Sequence, residues 1–239
     1  MRADLALVSR GFFASRAKAQ EAIAAGLVRA DGRLVRKPSE TLAADAAIEA
    51  GAAYPYVSRG GVKLAAALDA FQFDPAGGTC LDVGASTGGF TDVLLRRGAA
   101  HVFAVDVGHD QLAMSLRQDP RVTSLEGTDA RSLTAAAFDR PITMITCDTS
   151  FISLRLVLPV VLPLAAPGAR IVALIKPQFE AGPAHVVKGL VKDEAVRQEC
   201  AQAIFRLLQD AGWTIAGLIE SPIAGGDGNR EFLVGAAKS

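Results

Sequence analysis

The sequence predicts an α/β protein, a doubly wound seven-stranded sheet whose last strand runs antiparallel, preceded by a small N-terminal α+β module. Three observations carry that expectation. From residue 59 onward, apolar runs of strand length alternate with helical periods. The first of those runs ends in a glycine turn, Gly84 to Gly89, that opens a helix, and an acid, Asp106, closes the next run. Residues 2–50 follow another pattern: helix, turn, helix, hairpin.

Half of the 239 residues are hydrophobic, enough for one large domain with a small companion. The longest apolar stretch, Leu156 to Ala166, is too short to span a bilayer and holds two prolines. Met1-Arg2-Ala3-Asp4 leads into a mixed segment rather than an apolar leader, so the expected location is cytoplasmic. Cys80, Cys147 and Cys200 form no C-x-x-C pair, and His101, His109 and His185 have no ligand spacing; no metal is expected. Net charge is zero but uneven. Residues 1–64 hold ten Lys and Arg against six acids, and residues 65–239 hold fifteen against nineteen. A basic front joined to an acidic remainder points to a polyanion met by the front.

Within the front, Ala3 to Val8 reads as a helix and Arg10-Gly11-Phe12 as a turn; a second helix spans Ser15 to Ala25, with Ser15 as N-cap and Gly26 closing it. Leu27 to Val35 makes two alternating runs about Asp31-Gly32, a hairpin signal, and Lys37-Pro38-Ser39 turns the chain. Arg10, Arg16, Lys18, Arg29, Arg33, Arg36 and Lys37 fit two readings, a phosphate-binding face or ordinary solvated charge. The expected division is 1–53 for this module, 54–58 for a linker and 59–239 for the larger domain.

In the larger domain a helix over Gly61 to Phe71 comes first. Strands are expected at 79–84, 102–107, 121–125, 142–148, 170–176, 214–221 and 231–235, with helices at 88–97, 109–117, 132–137, 153–165 and 193–211. Pro222 to Asn229 is too short for a crossover helix, so the last strand should return antiparallel beside the sixth.

The turn Leu81-Asp82-Val83-Gly84-Ala85-Ser86-Thr87-Gly88-Gly89-Phe90-Thr91 has the form of a nucleoside-cofactor loop, with glycines where a Cβ would keep a ligand away. It offers an acid, Asp82, and no base. That suits the sulfonium and amino-acid end of S-adenosylmethionine better than a pyrophosphate, with Asp106 accepting from ribose hydroxyls. Asp148 and Lys176 end the fourth and fifth strands, Glu231 begins the antiparallel last one, and Lys63 lies on the preceding helix; all four are expected at one sheet edge. Strand-end salt bridges are the plain alternative. The chemistry such a group suits is methyl transfer to a ribose 2′-hydroxyl, whose proton needs a base. Lys176, leaving a buried strand, is the candidate.

Arg2-x-Asp4, Gly11-x-x-x-Ser15-Arg16-x-x-Ala19, Ile23-x-x-Gly26-x-Val28 and Lys37-Pro38-Ser39 resemble the alpha-L RNA-binding motif. Arg59-Gly60-Gly61-x-Lys63-Leu64, Cys147-Asp148-x-Ser150-Phe151-Ile152-Ser153, Leu174-Ile175-Lys176-Pro177-Gln178-Phe179-Glu180 and Gly228-Asn229-x-Glu231-Phe232-Leu233 resemble the FtsJ-like (RrmJ-like) 2′-O-ribose methyltransferases. Together they resemble the TlyA family, often named hemolysin, which methylates cytidine riboses in small- and large-subunit ribosomal RNA. The resemblance implies a Rossmann-like class I methyltransferase fold, S-adenosylmethionine as cofactor and a catalytic tetrad of Lys63, Asp148, Lys176 and Glu231. It further implies cofactor contacts from Asp82, Gly84, Ala85, Ser86, Gly88, Gly89, Phe90, Asp106, Val107, Asp129 and Asp148, and RNA contacts from Arg2, Arg10, Ser15, Arg16, Lys18, Arg29 and Lys37. Ribosomal RNA or ribosomal subunits are the implied partners, with no membrane and no obligatory protein partner. Three places depart from the family pattern: Tyr54-Pro55-Tyr56-Val57 stands where some members carry Arg-x-Trp-Val, Asp129 where Asn is commoner, and Asp110 where small residues are common. The competing readings are a non-catalytic RNA-binding assembly factor and, more distantly, a pore-forming hemolysin.

Overall fold

The computed structural model describes residues 1–225 and 228–238, so Gly226 and Asp227 of the expected turn at 222–229, and Ser239, lie outside the described residues. The chain divides into two compact units, Met1–Ser58 and Arg59–Ser239, which leaves residues 54–58 inside the first.

In the first unit, α1 (Ala3–Ser9) and α2 (Arg16–Ala24) accompany a small antiparallel sheet of β1 (Val28–Ala30), β2 (Arg33–Leu34) and β3 (Ile48–Ala50), in the order β2-β1-β3. Ser15 caps α2, its hydroxyl accepting from Lys18 N at 3.4 Å. Asp31 and Gly32 both take positive φ, 49° and 75°, as a tight two-residue hairpin loop requires. Ala6, Leu7, Ala22, Ile23 and Val28 form the core. β3 was not expected, because Ile48-Glu49-Ala50 carries no strand signal of its own; its pairing with β1 creates it.

The second unit runs α3 (Gly60–Phe71), β4 (Thr79–Val83), α4 (Gly89–Arg96), β5 (His101–Asp106), α5 (Met114–Arg117), β6 (Val122–Glu126), β7 (Ile142–Cys147), α6 (Leu154–Val161), β8 (Ala165–Ile175), α7 (Pro177–Glu180), α8 (Glu194–Asp210), β9 (Trp213–Glu220) and β10 (Phe232–Lys238). The sheet order is β6-β5-β4-β7-β8-β10-β9. β4 to β8 are parallel, and β10 lies antiparallel between β8 and β9. Alternate strand residues such as Leu81, Phe103, Ile145, Ile171 and Val234 pack with Leu158 of α6 and Ile204 of α8, as the two-residue period of a strand demands. Phe71 lies over Gly217 and Gly235 so closely that a Cβ at Gly235 would come within 2.4 Å of its ring.

Three expected helices differ. The one at 132–137 is two short 3-10 turns, Ala130–Ser132 and Ala135–Ala137, too brief for the cost of nucleating a helix. The one at 109–117 shrinks to α5. Asp110 is left-handed (φ 55°), Ala113 is extended (ψ 137°), and the Ala113 N–H bonds Thr87 O at 3.2 Å rather than a carbonyl four residues back, while Glu126 accepts from Gln111 N at 2.7 Å and Leu112 N at 3.0 Å. The one at 153–165 ends at Val161 and passes through a 3-10 turn containing Pro163 into β8.

Candidate active site

A cleft of about 320 Å³ lies at the carboxyl ends of β4, β5 and β7, where parallel α/β sheets place their ligands. Of the expected cofactor residues it is lined by Gly84, Ser86, Asp106, Val107, Asp129 and Asp148. Its charged lining is three acids, Asp106, Asp129 and Asp148, with no lysine or arginine. Val83, Val105, Ala130, Ile152 and Val157 supply an apolar wall.

Asp106 organises the near side. Its carboxylate accepts from Ser86 N at 2.8 Å through Oδ2 and from Gly108 N at 2.7 Å through Oδ1, leaving lone pairs on both oxygens. Glu126, holding Gln111 and Leu112 and ion-paired with Arg117 at 2.7 Å, keeps the loop after β5 against the cleft. Asp129 is half exposed and bonded to Arg131, which holds its carboxyl down to about 2.

Asp82 corrects the expectation. It is fully buried under the loop, with Oδ2 accepting from Thr91 at 2.7 Å and Oδ1 from Thr146 at 2.8 Å, and it does not line the cleft. Burial pushes its carboxyl up to about 6. It ties β4 to α4 and β7 from beneath. Ala85, Gly88, Gly89 and Phe90 are likewise buried and off the lining. The glycines answer to the protein rather than to a ligand. Gly84 has φ 83° and a Cβ there would meet Asp148 O at 2.6 Å; Gly88 has φ 95° and a Cβ would meet Leu116 Cδ1 at 2.2 Å.

The four expected charges form two ion pairs. Lys63 of α3 bonds Glu231, and both side chains are buried. Lys176 Nζ lies 2.6 Å from Asp148 Oδ1 and donates its hydrogen bond to Ser150 Oγ at 2.8 Å. Phe232 pairs with Ile175 in the β8–β10 register, so Glu231 enters β10 beside the residue that leaves β8, Lys176. Asp148 joins them because β7 is parallel to β8 and its N–H bonds Val83 O at 2.9 Å.

Sequence reasoning missed Gln111, Thr128, Ser150, Phe151, Ile152 and Val157 on the lining. Ser150 to Ile152 stand inside the Cys147–Ser153 motif, which was the available signal. Phe151 is 91 % exposed at φ 62°, a strained conformation for an aromatic residue, with its ring 5.3 Å from that of Phe179. Buried Glu180 steadies this segment, accepting from Ser153 Oγ at 2.6 Å and Leu154 N at 2.7 Å; burial raises its carboxyl above the usual range.

Residues 56–238 match the FtsJ-like methyltransferase family. The chain belongs to that family. Residues 1–48 match the S4 domain. The chain is 48% identical, over 98% of its length and 88% of the relative's, to the 16S/23S rRNA (cytidine-2'-O)-methyltransferase TlyA of Mycobacterium tuberculosis. It is 39% identical to Hemolysin A of Brachyspira hyodysenteriae, with 98% of each chain covered. A solved structure from Streptococcus thermophilus, of a protein proposed to be a hemolysin, superposes with TM-score 0.80 at 39% identity, covering 100% of this chain and 88% of that one. Among the described residues of this FtsJ-like methyltransferase, no helix is long and apolar enough to cross a membrane, and no group of three or more His, Cys, Asp or Glu could hold a metal.

In the S4 domain several expected RNA contacts have intramolecular partners. Asp4, buried, accepts from Arg2 Nε at 3.0 Å, Arg16 Nη2 at 2.9 Å and Gln20 Nε2 at 2.9 Å, and these bonds, Arg2 foremost, hold its carboxyl well below the ordinary range. The Arg2 and Arg16 side chains remain about half exposed. Arg10 donates to the carbonyls of Ala46 and Ala43 at 2.7 and 3.0 Å, Lys18 to Tyr56 O at 3.3 Å and Arg29 to Gly32 O at 3.1 Å. Ser15 is the α2 cap. Lys37 is exposed.

Proposed function

We propose that this FtsJ-like methyltransferase transfers the methyl group of S-adenosylmethionine to the 2′-hydroxyl of a cytidine in ribosomal RNA. The observation that carries the reading is a cleft whose charged lining is all acid, at the edge where the buried Lys63–Glu231 pair and the largely withdrawn Lys176–Asp148 pair stand. The near-full-length likeness to the Mycobacterium tuberculosis rRNA methyltransferase supports the substrate class. The proposed division of labour is RNA binding by 1–53, a joint at 54–58 and catalysis by 59–239.

The residues present fit the cofactor. Three acids and no base favour a cationic ligand over a phosphate. The spare lone pairs of Asp106 suit ribose hydroxyls, and the wall of Val105, Ala130, Ile152 and Val157 suits a purine beside Thr128 and Asp129. When bound, the cofactor supplies a methyl carbon made electrophilic by the adjoining sulfonium. Asp82, Gly84 and Gly88 hold the loop shape, and Asp106 with Ser86 orients the ligand. With the cofactor bound, Lys176 would act as the base only after its ammonium has released one proton to solvent, its free amine then taking the 2′-hydroxyl proton. Asp148 and Ser150 aim the Lys176 amine, and the Lys63–Glu231 pair fixes the strand entry beside the end of β8 that carries Lys176.

The test is transfer of radiolabelled methyl from S-adenosylmethionine to purified small and large ribosomal subunits and to naked ribosomal RNA, with Lys176→Ala as control. Label on a cytidine ribose that vanishes in the variant is the expected result. Cofactor binding with no label on any of these RNAs, or equal turnover in the variant, would sink the assignment, and no cofactor binding at all would favour a non-catalytic assembly factor.

A further inference from the structure

Beyond α7 the chain leaves the sheet edge and makes a β-hairpin that none of the site chemistry uses. Val187 N donates to Leu190 O at 2.9 Å and Leu190 N to Val187 O at 3.1 Å, so Lys188 and Gly189 form a two-residue loop. Both have positive φ, 53° and 78°. Such a loop favours Asn, Asp or Gly at its first position, and a lysine there is strained. The fold alone would be better served by asparagine.

The strained lysine is held out on a rigid base. Asn229, 3% exposed, uses both ends of its amide on the hairpin: Nδ2 donates to Gly189 O at 2.7 Å and Oδ1 accepts from Val191 N at 3.1 Å. Arg197 donates to Val191 O at 2.9 Å and Lys192 O at 3.0 Å. Two residues beyond Asn229 stands Glu231, the partner of Lys63. The hairpin is therefore fastened to the strand entry that carries one of the four site charges.

Its charge contrasts with its surroundings. Residues 181–192 carry Lys188, Lys192 and His185 and no acid, within a stretch, 65–239, where acids outnumber bases by nineteen to fifteen. Val187, Lys188 and Gly189 at the tip are all exposed.

We propose that the Val187–Leu190 hairpin is an RNA-docking element of the methyltransferase unit, in which Lys188 contacts a backbone phosphate of the substrate near the reacting nucleotide. The proposal rests on the RNA reading above and adds a contact outside the S4 domain. Because the backbone of the hairpin is already pinned, docking orders only the Lys188 side chain, and its contribution is electrostatic and sequence-independent.

The test uses the full chain with purified ribosomal subunits as probe. Lys188→Asn keeps a residue that tolerates the left-handed turn while removing the charge; Lys188→Arg keeps the charge; Lys188→Glu reverses it. The expected result for Lys188→Asn is a KM for the methylated subunit raised about 3- to 10-fold at unchanged kcat, and a slope of log affinity against log salt reduced by about one. Lys188→Arg should restore both, Lys188→Glu should be worse than Asn, and S-adenosylmethionine affinity by calorimetry should not move. Wild-type KM and salt slope in both the Asn and the Glu variants would overturn the proposal while leaving the methyltransferase reading intact. A wild-type chain that methylates neither the subunits nor naked ribosomal RNA would overturn that reading, and this proposal with it.

Discussion

Two clusters of charge, one in each unit, are built on opposite plans. In the S4 domain a single buried carboxylate, Asp4, gathers Arg2, Arg16 and Gln20, yet both guanidiniums stay about half in water. In the methyltransferase unit both members of the Lys63–Glu231 pair are withdrawn, and Lys176 and Asp148 are 11% and 21% exposed. The first plan keeps cations at the surface with their directions set, which suits a phosphate-facing role. The second takes cations and anions out of water together, where the desolvation cost offsets most of the Coulomb attraction. Stability does not explain the second plan, since apolar side chains would serve as well; the proposed catalytic role is what would require it.

The sharpest way to break this contrast is at Lys176. Lys176→Ala should lower methyl transfer by about a hundred- to ten-thousand-fold with S-adenosylmethionine affinity preserved, measured by single-turnover label transfer and calorimetry.

Next comes the buried pair. Glu231→Ala, which strands the Lys63 ammonium, should cost about 3–5 kcal/mol in urea unfolding, whereas the double change Lys63→Met with Glu231→Leu should recover that stability without recovering turnover. If both variants were equally unstable, the pair would be structural after all.

A smaller effect separates Asp82 from the site charges above it. Burial raises its folded carboxyl to about 6 from an ordinary 3.8, so the folded state binds the proton more tightly than the unfolded one. The associated stability is fully present below about pH 4 and is lost as pH rises through 6, by about 3 kcal/mol at 1.36 kcal/mol per unit. Asp82→Asn should flatten that fall in unfolding measured from pH 4 to 7.

The smallest change should come from Asp4, whose carboxyl is held low by Arg2. Its stabilisation is present above the ordinary carboxylate range and disappears as pH falls through and below it. Asp4→Asn should speed amide exchange in α1 and α2 and weaken RNA binding, with the cofactor affinity untouched.

Much of this was legible from local chemistry. Asp31-Gly32 announced its hairpin because only certain residues accept positive φ at both positions. The glycine turn was readable for the same reason, although its glycines turned out to admit Asp148 and Leu116 rather than a ligand. The order of Lys63, Asp148, Lys176 and Glu231 along the chain, together with the pattern of alternating strands, pointed all four to one edge.

What the chain alone determined, then, are features decided within a few residues: the cap at Ser15, the turn at Asp31-Gly32, the strand runs, and the strand ends that bear the charges. Tertiary structure decided the rest, because those outcomes depend on partners far away in sequence. Thr87 takes the Ala113 N–H from across the cleft loop and so shortens the expected helix at 109, and β3 exists only by pairing with β1. Thr91 and Thr146 draw Asp82 beneath the cleft instead of into it. The pairing of Lys63 with Glu231, 168 residues apart, comes from the insertion of β10 beside β8. Hydrogen bonds and desolvation act through space, and a linear pattern records them only where sequence neighbours are also neighbours in the fold.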